Sequence, residues 1–553
     1  MCTTLIITKG AAADGSMIVA HSDDDELADQ RVVRVPAADH APGSERPIMA
    51  ESYPYPRMVT SERGPAYDTQ GWPQTEPIGH IPQVAHTYAY FDGNYGIMNE
   101  HNLMMGECTN GARYEPAKVS AEEAASSGRH VRLFYSSELS RVALERCRTA
   151  REAVALMGAL LDEHGYYSTG ETLLVADEDE AWVFEMCALP SELHHSAWVA
   201  QRVPDGEAFV AANEFRIREV PSAGYEQLHS PTLHEALQAV DWWDPADGPL
   251  DWLRAVSQGE YAHPYYSLRR VWRIFDRMNP DLGLSPWVED GYTKAYPFSI
   301  PPSRKLAVEE VFSLYRDHYE GTQFDLTTGT AAGPYGDPNR FVGLYDGNQN
   351  DVTSGITAFG AWERSISVFY QGYSFVLQVR PQVAEPARGL MWFAPDVSYT
   401  SVFAPFYAKS TDLPWSYQSG DPRRFERSSA WWAFDFVANW ARLNFQRMTR
   451  ADILPLQAQI ERETLAAVAA VDAQARDAPE RAIEIVTGFG QTNADSLLDR
   501  WWSLADRLVA KYSDGYISPP ERVRASPTPI GYPATWLAAT DYANGPLTYA
   551  MKG

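Results

Sequence analysis

The sequence predicts an α+β fold, and two observations carry that prediction. First, apolar runs rich in β-branched residues at 3–8 and 16–21 are separated by Lys9-Gly10 and Asp14-Gly15, which have the chemistry of hairpin turns. Second, apolar residues recur near helical spacing over most of residues 427–512. The order of elements along the chain is strands, helices, strands and then a helical C-terminal region, which is typical of the α+β class.

The chain after the opening hairpin is predicted to hold one clear helix among strands. Residues 35–83 are rich in Pro, Gly and polar groups, which indicates a long excursion over the surface. A helix is predicted from Thr149 to His164, because Thr149-Ala150-Arg151-Glu152 is a capping box and Gly165 supplies a C-terminal stop. The strands predicted around this helix, of which the last four form an antiparallel meander, are 86–91, 103–107, 172–176, 181–186, 197–202 and 209–213.

The later part of the chain is predicted to add a second hairpin and more helices. The hairpin runs from Ser365 to Arg380 and turns at Gln371-Gly372. Further strands are predicted at 390–393 and 401–406, and a helix at 307–319.

Composition and charge exclude several classes of partner. The 553 residues include 73 acidic and 46 basic side chains, for a net charge of −27. Such a chain is unsuited to nucleic acid, whose binding depends on Lys and Arg, and to anionic membrane surfaces. With no basic segment leading into an apolar core at the N-terminus and no run of about 18 apolar residues, we expect a cytoplasmic protein.

The familiar motifs of several enzyme classes are absent from the sequence. There is no G-x-S-x-G elbow, no G-x-x-x-x-G-K-[ST] phosphate loop and no H-E-x-x-H zinc motif. The adjacent His194 and His195 would point to opposite faces of a strand, which disfavours joint metal ligation. We therefore expect neither a metal nor an organic cofactor.

Cys2 is the strongest candidate for a reactive group. Removal of Met1 would leave this residue with a thiol and a free α-amine, whose ordinary pKa values are about 8.5 and about 8, so the residue would carry its own base. The alternative is a small buried hydrophobic side chain. The other three cysteines, Cys108, Cys147 and Cys187, make no disulfide framework with it and are interpreted as structural.

The chain resembles the dipeptidase A family of cysteine dipeptidases, which are N-terminal nucleophile hydrolases related to penicillin V acylase and bile salt hydrolase. The resemblance begins with Cys2-Thr3-Thr4, Asp14-Gly15-Ser16 and Asp23-Asp24. It continues in order through segments 99–101, 106–109, 198–205, 212–214, 269–273, 332–340, 373–378 and 392–396. It thus covers nearly the whole chain.

The resemblance implies an αββα sandwich of two antiparallel sheets, with a catalytic domain at 1–415 and a helical region at 416–553 packed on it. It implies that Cys2 attacks the scissile carbonyl and forms an acyl-thioester, while its own α-amine relays the proton. Asp24 matches an aspartate that orients the nucleophile, and Asn213 matches an asparagine of the oxyanion hole. Either Arg270 or its neighbour Arg269 aligns with an arginine that closes the acylase site.

The resemblance also suggests substrate-binding residues. Arg269 could fork onto the C-terminal carboxylate of a substrate, and Glu107 could hold its α-ammonium. Thr109 or Asn110 lies where the acylases have a second oxyanion donor, and His21 stands where they carry an arginine. Asp23 and Asp25, the neighbours of Asp24, are expected to be solvated.

The leading hypothesis is therefore a cytoplasmic, homo-oligomeric cysteine dipeptidase that acts on dipeptides. An amidase or acylase of the same superfamily, acting on an N-acylated small molecule, is the alternative, because a superfold fixes mechanism better than substrate. A catalytically silent binding or assembly protein and a carboxylate-driven glycoside hydrolase are the remaining possibilities.

Overall fold

Two large antiparallel sheets form the centre of the protein. The computed structural model describes residues 1–25, 29–50, 52, 55–69, 71–191, 194–221, 223–341, 350–351, 356–357, 362–519 and 527–540. The strands of the two sheets are β1 (Cys2–Ile7), β2 (Met17–Asp23), β3 (Val33–Val35), β4 (Tyr90–Asp92), β5 (Gly96–Asn99), β6 (Met104–Asn110), β7 (Gly170–Ala176), β8 (Ala181–Ala188), β9 (Ser196–Arg202), β10 (Ala208–Ala211), β11 (Gln227–His229), β12 (Ser299–Ile300), β13 (Tyr373–Val379), β14 (Gly389–Pro395) and β15 (Ala404–Tyr407).

The predicted opening hairpin lies at the middle of the first sheet. This sheet has seven strands in the order β12-β10-β1-β2-β13-β14-β15, and the second has eight in the order β11-β9-β8-β7-β6-β5-β4-β3. Strands β1 and β2 pair so that Ile7 lies opposite Ile18 and Cys2 opposite Asp23. The far end of the hairpin thus returns to Cys2, as the sequence predicts.

Both faces of each sheet are covered, which gives four layers. Ile6 and Val19 of the first sheet point inward and join the core between the sheets, whereas Leu5 and Ile18 point outward into a second core. Because side chains alternate along a strand, strands buried on both faces need apolar residues at every position. The α+β class and the sandwich of two antiparallel sheets are confirmed.

Helices form the outer layers and the C-terminal region. The α-helices are α1 (Ala121–Ser127), α2 (Ser136–Arg146), α3 (Ala150–His164), α4 (Leu233–Ala239), α5 (Trp252–Val256), α6 (Leu268–Met278), α7 (Val308–Tyr315), α8 (Trp415–Gln418), α9 (Ala430–Ala441), α10 (Phe445–Met448), α11 (Leu454–Asp477), α12 (Ala482–Lys511) and α13 (Ala534–Ala539). Helices α6 and α7 pack on the outer face of the first sheet, and α2 and α3 on that of the second. A π-helical turn, Thr449–Ile453, joins α10 to α11.

The predicted helices are largely confirmed. The capping box at the start of α3 is present, with the Thr149 hydroxyl accepting from the Glu152 amide and the Glu152 carboxylate accepting from the Thr149 amide. Helices α9 to α12 fill most of the predicted 427–512 region. Phe434 and Trp501 of these helices lie in the same hydrophobic core as Cys2. The predicted domain boundary between residues 415 and 416 stays a prediction.

The predicted hairpin from Ser365 to Arg380 is wrong. Residues 365–372 contain no strand; β13 begins at Tyr373 and pairs with β2 on one side and with β14 on the other. Within the first predicted strand, Val368, Phe369 and Tyr370 instead line a cavity. Propensity for strand reflects packing against a sheet, and here the same residue types pack elsewhere.

Two other expectations also differ from the structure. The fourth strand of the predicted meander, β10, joins the first sheet beside β1 and does not follow β9 in the second. The region 35–83 is not only a surface excursion, because Ile48 and Met58 are buried in the core beneath α2 and α3.

Five smaller antiparallel strand pairs lie outside the two large sheets in the described part of the chain. They are Ala38–Asp39 with His86–Thr87, Glu45–Met49 with Pro77–Pro82, Glu219–Val220 with Leu250–Asp251, Asn350–Asp351 with Ile356–Thr357, and Tyr516–Ile517 with Thr528–Pro529.

Within the ranges given above, no helix combines the length and the apolar character needed to cross a bilayer.

Candidate active site

Cys2 opens strand β1, and its side chain points into the space between the two sheets. The residue is 1% exposed, and its Sγ donates a hydrogen bond to Glu107 Oε2 at 3.0 Å. Glu107 belongs to β6 of the second sheet, so the contact joins the two sheets. Cys108 reaches the same place, with its Sγ 3.6 Å from the Cys2 carbonyl oxygen.

His21 and Asp23 lie beside Cys2 for a reason of strand geometry. Asp23 is directly opposite Cys2 in the β1–β2 ladder, and His21 is two residues earlier on the same face. The thiol, the imidazole and the Asp23 carboxylate bring ligand atoms within 4.8 Å of one another. These are residue types that bind zinc. Here each already makes a hydrogen bond: Cys2 to the Glu107 carboxylate, His21 to the Glu107 carbonyl oxygen and Asp23 to the Asn94 amide.

His21 is held by Glu107 and by aromatic rings. Its Nδ1 lies 2.8 Å from the Glu107 carbonyl oxygen, to which it donates, and its ring packs 5.0 Å from that of Phe375. Burial lowers the pKa of His21 below its ordinary value, so the imidazole is neutral at pH 7.

Burial raises the pKa values of the Cys2 thiol and the Asp23 carboxyl group. Burial and the Glu107 carboxylate raise the pKa of the Cys2 thiol well above its ordinary value. Burial, with the Asp25 charge, raises the pKa of Asp23 to about 7. Asp23 is 2% exposed, so the expectation that it is solvated is wrong.

A second buried carboxyl group lies behind Glu107. Glu107 Oε1 accepts from the Thr109 hydroxyl at 2.9 Å, and Glu171 Oε1 accepts from the Tyr135 hydroxyl at 2.8 Å. Burial and the negative charge of Glu107 raise the pKa of Glu171 well above its ordinary value. Glu171 Oε2 is buried and has no hydrogen-bond partner in the described part of the chain.

Asp24 follows β2 and lies beside the start of the chain. The Asp24 amide donates to the Met1 carbonyl oxygen at 2.9 Å, and the Met1 amine donates to the Asp24 carbonyl oxygen at 3.0 Å. The Asp24 side chain is fully buried; its Oδ2 accepts from Arg364 at 2.5 Å, while Oδ1 has no partner among the described residues.

The Met1 ammonium lies among these acidic groups. Burial acts to lower its pKa, but the electrostatic effect of the acidic groups of Cys2, Asp23 and Asp24 outweighs burial, so this pKa lies well above its ordinary value. The site therefore favours a positive charge at the start of the chain.

Arg270 joins the nucleophile to Asn213. Its guanidinium is fully buried and donates to the Cys2 carbonyl oxygen at 2.9 Å, to Thr3 Oγ1 at 3.0 Å and to Asn213 Oδ1 at 2.8 Å. Because Asn213 Oδ1 is held by Arg270, the amide nitrogen is turned the other way and donates to the Thr109 carbonyl oxygen at 2.7 Å. Asn213 has a φ of 65°, a left-handed conformation that asparagine adopts more readily than most residues.

Arg269 and Asn110 point away from this cluster. Arg269 forms an ion pair with Glu363, and the rings of Tyr265 and Phe324 each lie 3.8 Å from its guanidinium carbon. The Asn110 amide donates to Thr172 Oγ1 at 2.7 Å. Of the two adjacent arginines, Arg270 is thus the one that contacts Cys2.

Several residues of the cluster were not singled out from the sequence. Asp23 could have been found, since it lies two residues from His21 on a strand whose end meets Cys2. Glu171 needed the β6–β7 register, which places it opposite Thr109. Arg364 is 340 residues from Asp24, and no motif in the sequence predicts their contact.

A cavity of about 270 Å³ opens next to Met1. Its walls are mostly apolar and aromatic, with Tyr266, Phe369 and Tyr370 among them. Two arginines, Arg340 and Arg364, also line it.

Comparison with known proteins gives a family and several relatives. Residues 1–454 match the model of peptidase family C69. A "Probable dipeptidase" of Salmonella dublin is 27% identical over 430 residues, which cover 76% of this chain and 83% of the relative. A "Dipeptidase" of Bifidobacterium longum is 24% identical over 464 residues, 79% of this chain and 76% of the relative, and "Dipeptidase A" of Lactobacillus helveticus is 21% identical over 459 residues, 80% and 82%.

Proposed function

The chain belongs to peptidase family C69, and on that basis we propose that it is a cysteine-type dipeptidase whose nucleophile is Cys2. The observation that carries this assignment is the arrangement around the second residue of the chain. Its carbonyl is held by Arg270, its thiol faces Glu107, and a carboxylate oxygen of Asp24 that has no partner among the described residues lies beside the chain start. The relatives named dipeptidases support the substrate class.

The active form requires the α-amine of Cys2, and so the loss of Met1. The Asp24 Oδ1, which has no partner in the described structure, is available to accept from the resulting ammonium. A buried carboxylate stabilises a positive charge beside it, so Asp24 would set the pKa of the amine. Arg364, bonded to the other oxygen, would hold the Asp24 carboxylate in place.

The reaction then proceeds in two steps. The neutral α-amine accepts the proton of the Cys2 thiol, and Sγ attacks the scissile carbonyl carbon. As the C–N bond breaks, the α-ammonium returns its proton to the leaving amine, which releases the C-terminal amino acid. Water, deprotonated by the same amine, attacks the acyl-thioester and releases the N-terminal amino acid and the thiol.

We assign charge stabilisation in these steps to Asn213. Its side-chain amide points to the Thr109 carbonyl oxygen, next to Glu107 and Cys108. A developing oxyanion would draw this donor, and loss of such a donor typically costs about 3 kcal/mol of the activation free energy. Arg270 acts as a positioning residue that orients the amide through Asn213 Oδ1.

The acidic groups on the inner side of Cys2 suit the α-ammonium of a dipeptide. Glu107, Glu171 and Asp23 are buried there, and an ammonium placed among them would lower the raised pKa values of Asp23 and Glu171 and pair with the carboxylates that form. The substrate's ammonium would supply that charge.

An amidase or acylase of the same superfamily is the second candidate, because the walls of the cavity next to Met1 are largely apolar. An acyl chain would fit such walls as well as a peptide side chain does. N-acyl amino acids with no α-ammonium distinguish this activity from dipeptide hydrolysis.

The test compares wild type, Cys2→Ala and Cys147→Ala on a panel of dipeptides and N-acyl amino acids, with mass spectrometry of the N-terminus. Cys147 is a buried cysteine at the end of α2 and serves as the matched control. We expect Cys2→Ala to abolish dipeptide hydrolysis and Cys147→Ala to retain it. Full activity of Cys2→Ala, or an active enzyme that keeps Met1, would overturn the mechanism.

We also propose that the protein is a cytoplasmic homo-oligomer. Exposed aromatic side chains in the C-terminal region, including Trp415, Phe425 and Tyr532, support self-association through that region. Light scattering of the purified protein and fractionation of the source cells test the two statements.

A further inference from the structure

We propose that Arg340 binds the C-terminal carboxylate of the substrate, in the cavity next to Met1. This inference rests on the proposed dipeptidase activity and assigns one end of the substrate to one part of the site. It replaces Arg269, which the sequence suggested for this role.

The position of the cavity relative to the nucleophile is the first argument. Met1 lines the cavity and is bonded directly to Cys2, whose Sγ contacts Glu107 on the inner side. When Met1 is removed, the cavity and the space that it vacates lie beside the reacting thiol. The leaving half of a dipeptide, which carries the carboxylate, would lie there.

The charges that line the cavity are the second argument. Arg364 is paired with Asp24, and Glu363 is paired with Arg269. Burial lowers the pKa of His263, which leaves that ring neutral at pH 7. Arg340 has no carboxylate partner within the described structure, although the protein has a net charge of −27.

The contacts of Arg340 hold its guanidinium in place without neutralising it. NH1 donates to the carbonyl oxygens of Asp337 and Asn339 at 2.7 and 3.1 Å, and NH2 donates to that of Leu326 at 2.8 Å. The Trp362 ring lies 5.5 Å from the guanidinium carbon. Nε is buried with no hydrogen-bond partner in the described part of the chain.

A dipeptide is a zwitterion, and the site has matching poles. Glu107, Glu171 and Asp23 lie on the inner side of Cys2, and Arg340 lies in the cavity on the side of Met1. A guanidinium binds a carboxylate through charge-assisted hydrogen bonds that are stronger than neutral ones. A substrate placed with its ammonium inward and its carboxylate at Arg340 has its single peptide bond between the two poles, which is where Cys2 lies.

The test measures how strongly the enzyme prefers a dipeptide over the same dipeptide with an amidated C-terminus. Arg340→Gln is expected to lower kcat/KM for the dipeptide about 30-fold, mainly through KM, because a charge-assisted contact is lost. Its kcat/KM for the amide should stay near that of wild type. Arg340→Lys keeps the positive charge but not the two parallel N–H donors of a guanidinium, so it should lose part of the preference for the dipeptide over its amide.

Arg442→Gln is the matched control, because Arg442 contacts Asp337 of the same loop at 3.0 Å without lining the cavity. Both Arg340 variants are first compared with wild type by thermal melting, and Arg340→Lys carries the test if Arg340→Gln does not fold. An unchanged preference in the folded Arg340 variant, or an equal loss in Arg442→Gln, would overturn the assignment while leaving Cys2-dependent hydrolysis intact. Absence of dipeptide turnover by Met1-free wild type would instead overturn the proposed function, and this inference with it.

Discussion

Two buried clusters of charged side chains in this protein have opposite electrostatics. Beneath the second sheet, Glu138 is paired with Arg46 at 2.7 Å and with Arg63 at 2.6 Å, and Glu145 is paired with Arg46 at 2.7 Å. Around Cys2, by contrast, the carboxyl groups of Glu107, Glu171 and Asp23 accept hydrogen bonds from uncharged donors, which are the Cys2 thiol, the Tyr135 hydroxyl and the Asn94 amide.

The direction of the pKa shifts records this difference. Burial acts to raise the pKa of Glu138, but Arg46 and Arg63 outweigh burial and lower it to about 2. Burial raises the pKa of Asp23 to about 7 and that of Glu171 well above its ordinary range. Buried carboxyl groups whose pKa values are raised are frequent at functional sites, whereas ion pairs such as those of Glu138 can stabilise the fold.

The largest effect is expected from Glu138→Gln. This change leaves Arg46, Arg63 and Arg141 buried around an uncharged group, and breaking such a buried network costs about 3–5 kcal/mol of the free energy of unfolding. Urea denaturation measures the loss, and kcat per folded molecule should stay near the wild-type value.

Glu123→Gln is the control for that change, because the Glu123–Arg129 pair is exposed and such pairs contribute about 0–1 kcal/mol. Equal destabilisation by the two variants would contradict the comparison. So would a loss of kcat in folded Glu138→Gln.

A smaller, pH-dependent effect is expected from Asp23→Asn. Because the pKa of Asp23 is raised to about 7 in the folded chain and is about 4 when unfolded, the folded state holds the proton more tightly. Its stability therefore falls as pH rises from about 4 to about 7, by roughly 3–4 kcal/mol for this one group.

The asparagine variant cannot show that decline. The free energy of unfolding of Asp23→Asn should therefore increase relative to that of wild type as the pH rises from about 4 to about 7. Denaturation curves at several pH values measure the difference, which isolates Asp23 from Asp92 and Glu185, whose pKa values are also raised to about 7. Parallel pH profiles would show that the Asp23 carboxyl is not held protonated.

The smallest effect on stability is expected from Glu171→Gln. Since burial and the Glu107 charge raise the pKa of the Glu171 carboxyl group and so favour its neutral form, the isosteric amide should change the free energy of unfolding by less than about 1 kcal/mol at pH 7. The amide oxygen can still accept from Tyr135. The KM for dipeptides should rise, because a carboxyl group can ionise when the substrate ammonium binds beside it and an amide cannot. An unchanged KM would argue against the inward placement of the ammonium.

Local sequence patterns predict much of the fold but only part of the candidate active site. Hairpin turn chemistry located β1 and β2, and the capping box located α3, because both are short-range signals. The strand expected at Ser365 failed because aromatic residues suit a cavity wall as well as a sheet.

The site shows the same limit. Cys2 and Asp24 could be identified from their place at one end of a hairpin and from a resemblance. Glu171 lies in the cluster because of the register between β6 and β7. Arg364 lies there because it contacts Asp24, 340 residues away in the sequence. Neither relationship can be predicted from a local sequence pattern. Arg269 and Arg270 are neighbours on α6, so the sequence could not separate them, whereas the helix turns them to different partners.

The pairing of Met1 with Asp24 sets an order of events during biosynthesis. The bond between Met1 and Cys2 immediately precedes β1; Cys2 is 1% exposed, and the amine and carbonyl of Met1 are both hydrogen-bonded to the Asp24 backbone. A processing enzyme needs this bond in an accessible, unpaired segment. We therefore expect removal of Met1 by such an enzyme to be faster before the first hairpin closes than after, so that the fraction of active molecules depends on how quickly the nascent chain folds.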